Sequence, residues 1–274
     1  MSAEKTTALA DRLRGRRVGV ALSSAFFGFY GHAGFSRALA ARGIQPVGWS
    51  GASAGAMVAA FGAARAIDRL PPIFETLRRQ HFWDPTRFVG RPPGLLRGHK
   101  FRDLLAEHLP HRTFEECPDA LVTVATDLTN GRRHLDTAGA LVPAVWASCA
   151  LPIMFRPVER FGALHSDGGI VDKLPVAALI DHCEVDVVLA HHIPTTGLSR
   201  PLPRTPGRYI ERMLDIARED GWRHQVALAE ARGIEVVVIT SADLPRVDPF
   251  KLQRGVEAMH AAEERVGARL DAIG

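Results

Sequence analysis

Cysteine is scarce in this chain of 274 residues: Cys117, Cys149 and Cys183 are the whole complement. An odd, scattered set with no Cys-x-x-Cys pair and no Cys/His ligand spacing argues against a disulfide framework and a structural zinc site, and points to free thiols in a reducing compartment. Long apolar runs are missing too. Nothing approaches the ~18 residues that would suggest a membrane span. The start, MSAEKTTALADRLRGRR, has an early acid and no apolar signal-peptide core. The expectation is a cytoplasmic protein, at most peripheral to a membrane. A dominant charge is absent as well: 34 Lys and Arg face 30 Asp and Glu, a formal net charge of +4. Much of the arginine is scattered as solvated helix face, so no nucleic-acid partner is expected, whereas a weak positive field favours encounter with an anionic membrane surface. Repeats and low-complexity tracts are lacking.

What is present is an ordinary globular composition, 46% hydrophobic and 23% charged, enough for a sizeable core. RRVGVALSS (16–24) reads as a buried strand ending in small residues, GFSRALAARGI (34–44) as a helix ending at Gly43, QPVGWS (45–50) as a second strand and AGAMVAAFGAARAI (54–67) as a second helix. This β-α-β-α order predicts a parallel sheet covered by helices. Helices are expected over 71–82, 98–109, 142–150, 209–232 and 249–272, and strands over 119–131, 184–193 and 234–241. Residues 83–98 and 194–208 read as loops, the second as the best linker, and either could form a lid or a membrane-facing rim. We divide the chain into an N-terminal extension (1–15) and one α/β domain (16–274), with the chemistry-bearing motifs in 19–193 and a helix-strand-helix tail in 209–272.

GASAG, residues 51–55, fits the G-x-S-x-G pattern of a nucleophile elbow. A strand-to-helix turn this tight needs small residues two positions either side of the serine, and it leaves Ser53 at a helix N-terminus, where the next amide can face a developing oxyanion. The plainer reading is a helix N-cap at Ser50 or Ser53. A serine hydroxyl needs a base. Twelve histidines are present, with His108, His111, His165, His191 and His192 in view, and none stands out. SDGG, residues 166–169, either makes a simple turn or carries an aspartate of consequence, Asp167.

Several motifs in this order carry a resemblance. Gly51–Gly55, the stretch ASCALPIMFRPV (147–158), Asp167–Gly168–Gly169, VATDLTNGRRHLD (124–136) and VDKLPV (171–176) together resemble the patatin-like phospholipase family. Lys173 stands where that family usually has Asn. The resemblance implies a three-layer α/β/α fold with a nucleophile elbow, and a Ser–Asp dyad without histidine: Ser53 the nucleophile, Asp167 the base and acid. It implies lipid acyl esters as substrates and neither cofactor nor metal. An aspartate at its free pKa of ~3.9 is a poor base at neutral pH, so partial burial of Asp167 is expected to raise it.

One departure matters. The family's glycine-rich oxyanion loop after the first strand is here Leu22-Ser-Ser-Ala-Phe-Phe-Gly-Phe-Tyr-Gly-His-Ala-Gly34, with Ser23, Ser24 and Ala25 in the glycine region. The amides of Ser24, Ala25, Phe26 and Ala54 are the candidate oxyanion donors. Without glycine, any positive φ in this loop carries a cost. A catalytically weak protein that binds lipid or a protein partner, and a Ser-His-Asp esterase, are therefore the alternatives. Phe26, Phe27, Phe29 and Tyr30 are either core or acyl-pocket lining, and Gly28-x-x-Gly31-x-x-Gly34 has the look of a phosphate-binding turn without the rest of a dinucleotide fingerprint.

Overall fold

Val18, Val20 and Leu22 alternate along the first strand with Gly19 and Ala21, and the two sets belong to different cores. This two-residue period places one helical layer on each side of the sheet. The computed structural model describes residues 8–86, 94–194, 202 and 206–272. In chain order its helices are α1 (Leu9–Arg12), α2 (Phe29–Ala40), α3 (Ala54–Ala63), α4 (Leu70–Thr76), α5 (His99–His108), α6 (Leu141–Ser148), α7 (Val176–His182), α8 (Pro206–Ala231) and α9 (Arg254–Asp271). Its strands are β1 (Val18–Leu22), β2 (Gly48–Ala52), β3 (Ala120–Asp127), β4 (Arg132–Asp136), β5 (Val158–Arg160), β6 (Ala163–Asp167), β7 (Val187–His192) and β8 (Glu235–Thr240).

The eight strands form one sheet in the order β5-β6-β3-β2-β1-β7-β8, with β4 also on β3. The centre, β3-β2-β1-β7-β8, is parallel; β4, β6 and β5 join antiparallel at one edge. α2, α3 and α9 pack on the face that takes Val18, Val20 and Leu22, while α7 and α8 pack on the face that takes Ala21, Val188 and Ala190. The result is the expected three-layer α/β/α architecture. The segment expected as an N-terminal extension is packed from Ala8 onward: Leu9 and Leu13 are buried in the main core, and the Leu9 amide meets Ala272 O at 3.4 Å.

Two expectations need correction. The helix expected over 34–44 begins five residues earlier, at Phe29, because Phe29, Tyr30, Ala33 and Phe35 are all core residues of a helix buried nearly all round. Gly31 and Gly34 consequently lie on a helical stripe. A Cβ at Gly34 would stand 2.1 Å from Met259 O of α9 and one at Gly31 2.6 Å from Leu244. These glycines serve close packing, not phosphate binding. The second correction is the antiparallel edge. β4 (RRHLD) and β5 (VER) are short and polar, so they lack the apolar alternation that marks a strand. Most of the two loops proposed as lid or rim, residues 87–93 and 195–205 except 202, lies outside the described residues.

Candidate active site

β2 ends at Ala52 and α3 begins at Ala54, which leaves Ser53 alone in the turn with φ +54° and ψ −123°. A non-glycine residue there costs on the order of 1–3 kcal/mol and persists only when its surroundings over-determine it. They do. The Ser53 amide donates to Ser148 Oγ at 2.9 Å. Its carbonyl accepts from Met57 N at 3.2 Å and from the Cys149 thiol at 3.1 Å. The flanking glycines are required by backbone contact: a Cβ on Gly51 would lie 2.4 Å from the Gly55 carbonyl, and one on Gly55 2.3 Å from Leu22 O.

Asp167 is the last residue of β6, buried to 2% exposure. Its backbone is fixed from both sides: its amide donates to Ala150 O at 2.9 Å, and Thr126 Oγ1 donates to its carbonyl at 2.7 Å. Its Oδ1 accepts from Gly169 N at 2.8 Å. Burial pushes its carboxyl up from 3.8 to about 6, against the opposing pull of the Ser53 hydroxyl, the Gly169 amide and the Arg218 charge. The Ser53 hydroxyl is thus near enough to act on the carboxylate, although Oδ2 has no well-formed hydrogen bond among the described residues. Burial, then the Asp167 charge, drives the Cys149 thiol far up, so Cys149 stays protonated as a donor to Ser53 O.

The glycines after Asp167 have separate jobs. A Cβ on Gly168 would meet Val124 O at 2.0 Å, and one on Gly169 would meet Ser24 Oγ at 2.2 Å. Gly169 therefore links the aspartate turn to the loop expected to supply oxyanion donors. In that loop the Ser24 amide is spent on Lys173 O at 2.7 Å, which removes it from the expected donors. The amides of Ala25, Phe26 and Ala54 have no acceptor among the described residues. The positive φ falls on Phe27, at +53°. Ser23 is tied at both ends: its amide donates to His191 O at 3.1 Å, and its Oγ accepts from Ile193 N at 2.9 Å.

Behind this loop lies a cluster that the sequence did not signal. Lys173 is paired with Glu219 of α8, and both are buried. Glu219 also receives Trp222 Nε1 at 3.0 Å and approaches His192 Nε2 at 3.1 Å. Burial lowers Lys173. Burial also works against Glu219, but the bonds from His192, Lys173 and Trp222 outweigh it and hold the carboxyl well below its usual range. Three donors thus surround one carboxylate. Arg218, the neighbour of Glu219, donates to Gly169 O at 3.2 Å. Nothing in the chain pattern ties residues 218 and 219 to residues 169–173, some fifty positions earlier. Ser148 and Cys149 could have been found, since they stand within ASCALP.

No histidine hydrogen-bonds Ser53 among the described residues. His191 is buried against His32 (2.9 Å) and Ser241 (2.9 Å), His192 serves Glu219, and His165 sits 4.7 Å ring to ring from His134. No metal-ligating cluster occurs among the described residues. Of the loop aromatics, Tyr30 and Phe29 are core and Phe26 is exposed. Phe29 shares an apolar cavity with Met57, Phe74, Phe82, Phe101 and Leu105, of about 20 Å³. That holds scarcely more than one water, so an acyl chain could enter only if these side chains moved.

The family model for patatin-like phospholipases matches residues 20–180. The chain belongs to the patatin-like phospholipase family. An uncharacterized NTE family protein of Mycobacterium tuberculosis is 31% identical over 213 residues, covering 75% of this chain and 58% of that one. A second from the same organism is 25% identical over 247 residues, covering 88% and 42%. The chain thus spans about half the length of these curated relatives. Among solved structures, VipD of Legionella pneumophila matches 94% of this chain and 67% of its own, at 15% identity and a TM-score of 0.46, a likeness too loose to bear on function. No described helix is long and apolar enough to cross a membrane.

Proposed function

We propose that the protein is a serine hydrolase of lipid acyl esters working through a Ser53–Asp167 dyad and an acyl-enzyme. The observation that carries this reading is the buried Asp167 carboxylate, raised to about 6, facing the hydroxyl of a serine strained at the head of α3. As Ser53 Oγ attacks the ester carbonyl carbon, Asp167 takes the hydroxyl proton. The carbonyl π-electrons move to oxygen, and the Ala54, Ala25 and Phe26 amides stabilise that charge together with the positive end of α3. Collapse of the tetrahedral intermediate expels the alcohol, which takes the proton back from Asp167. Water then repeats the cycle on the acyl-enzyme.

One observation favours the second reading, a weak catalyst that chiefly binds lipid: the Ser24 amide is already committed to Lys173 O, and losing one oxyanion donor costs about 10²–10³ in rate. The test is hydrolysis of p-nitrophenyl esters of rising chain length, with fluorophosphonate labelling read by mass spectrometry. The dyad reading expects adduct on Ser53 and loss of turnover in Ser53→Ala by at least ~10³-fold. An unlabelled Ser53, with wild type and variant equally inactive on every ester, hands the protein to the binding reading.

A further inference from the structure

Several large apolar side chains stand in water, and they are joined to one another. Ile153 is 67% exposed, Leu95 50%, Trp83 46% and Phe250 73%. The segments that carry three of them lie side by side. Leu95 N donates to Ile153 O at 2.9 Å, Thr86 N to Leu95 O at 2.9 Å and Arg97 N to Asp84 O at 3.1 Å. The fourth is tied in through Arg79, whose guanidinium sits 3.9 Å from the Trp83 ring centre and 4.9 Å from that of Phe250. Ile153 holds φ +71°, a conformation that a β-branched residue adopts at a cost, and it spends that cost on standing in solvent. Scattered exposed apolar residues need no explanation, but a connected set does.

The charge around the rim selects the partner. Arg79, Arg97, Lys100 and Lys251 are exposed beside these side chains. Two carboxylates lie among them and keep their charge: Asp84 accepts the Gly98, His99 and Lys100 amides at 3.1, 2.7 and 3.3 Å, and Asp248 accepts Phe250 N at 2.8 Å, which leaves the four basic residues in excess. Trp and Phe beside Arg and Lys is the composition that settles at a lipid headgroup boundary, where each basic residue adds attraction to an anionic surface. The rim also adjoins the dyad. Ile153 follows by four residues the Cys149 that bonds Ser53 O, and the exposed Phe26 belongs to the oxyanion loop.

We propose that the rim formed by Trp83, Leu95, Ile153 and Phe250, with Arg79 between two of them, docks the protein on an anionic lipid surface and sets the mouth of the site against it. The proposal takes its purpose from the lipid-ester reading, but its binding step does not depend on catalysis. A cavity with room for about one water cannot shelter an acyl chain drawn through solvent, and docking lets the chain pass from bilayer to site directly.

The experiment is flotation of the whole chain carrying Ser53→Ala, which leaves lipid intact, on phosphatidylcholine vesicles with and without phosphatidylglycerol. The expected result is binding to the anionic vesicles that weakens as salt rises. Trp83→Ala/Phe250→Ala should bind at least ~10-fold less with an unchanged melting transition, and Arg79→Gln should lose part of the preference for anionic lipid. Equal flotation of parent and double variant overturns the proposal. So does equal binding to both vesicle types, or binding to neither, which would leave the rim to a protein partner. Should the double variant fail to fold, Trp83→Gln and Phe250→Gln singly carry the same comparison. In the Ser53 background, the double variant should hydrolyse water-soluble short esters as wild type does. Inactivity of wild type on every ester, with flotation intact, removes the hydrolase reading and leaves docking standing.

Discussion

The elbow at 51–55 and the loop at 23–28 lie side by side at the carboxyl ends of β1 and β2, yet they are built on opposite principles. The elbow works by omission. Gly51 and Gly55 are bare because backbone atoms of α3 and β1 occupy the space where a Cβ would stand, and the strain falls on Ser53. The loop works by attachment. Serines stand where the family has glycine, and the chain is held by the Ser24 amide on Lys173 O, the Ser23 hydroxyl under Ile193 N and a left-handed Phe27. Glycine permits a tight shape; tethers impose one. The consequence is that the loop's geometry belongs to α8 as much as to itself, since Glu219 anchors the Lys173 side chain and Arg218 holds Gly169 O.

Four experiments break or sharpen this contrast. The largest effect is expected from Asp167→Asn, with turnover of short esters down by at least ~10³-fold. The same substitution should stabilise the fold. A buried carboxyl whose folded pKa of about 6 exceeds its ordinary 3.8 stabilises the protein while protonated; that contribution is complete below the ordinary value and lost as pH rises through the folded one. At pH 8 the ionised group therefore costs about 3 kcal/mol, which the amide avoids. Urea unfolding at pH 8 and pH 4 measures it: the variant should lead at pH 8 and the gap should close at pH 4.

Glu219→Gln comes next. It leaves a buried ammonium without its counter-charge, and a loss of about 3–5 kcal/mol is expected, whereas Lys173→Met/Glu219→Leu should lose less, about 1–3 kcal/mol, because no charge is stranded and only Trp222 Nε1 and His192 Nε2 are left without their acceptor. If the single and double variants unfold alike, the pair is not what anchors the loop. In third place stands Gly169→Ala. Its methyl would press on Ser24 and should lower kcat by about 10–100-fold, the scale of an ångström-sized displacement in a catalytic site. Ser24→Gly in the same chain should recover much of the loss by vacating that space. The smallest effect is expected from Arg218→Gln. Activity should rise with pH around a midpoint near 6, where Asp167 becomes a base. Removing a positive charge that favours the carboxylate should move the midpoint upward, and an unmoved midpoint would reduce Arg218 to a tether of Gly169.

The site was unevenly legible. Ser53 and Asp167 stand in short local motifs whose glycines answer to immediate neighbours, so their proximity could be expected from family resemblance. The three-layer architecture could be read from buried, β-branched strands alternating with small-residue helices. The commitment of the Ser24 amide was not legible, because its acceptor, Lys173 O, lies 149 residues away along the chain. The start of α2 was misplaced for a related reason: Phe29 and Tyr30 look like loop aromatics until α4 and α9 are there to pack on them. Edge strands β4 and β5 escaped because hydrogen bonding to a neighbour, not apolar alternation, makes them strands.

The sequence by itself determined the parallel sheet, the serine at a strand-to-helix turn and the aspartate before two glycines, because each depends on side-chain size and periodicity within a few residues. Only the tertiary structure decided which amides remain free to face a reacting oxygen and how far burial lifts Asp167. It alone bound α8 to the turns around Ser24 and Gly169 through Lys173, Arg218 and Glu219. Hydrogen-bond pairing and desolvation depend on what surrounds a group in space, and those surroundings come from parts of the chain that no local pattern connects.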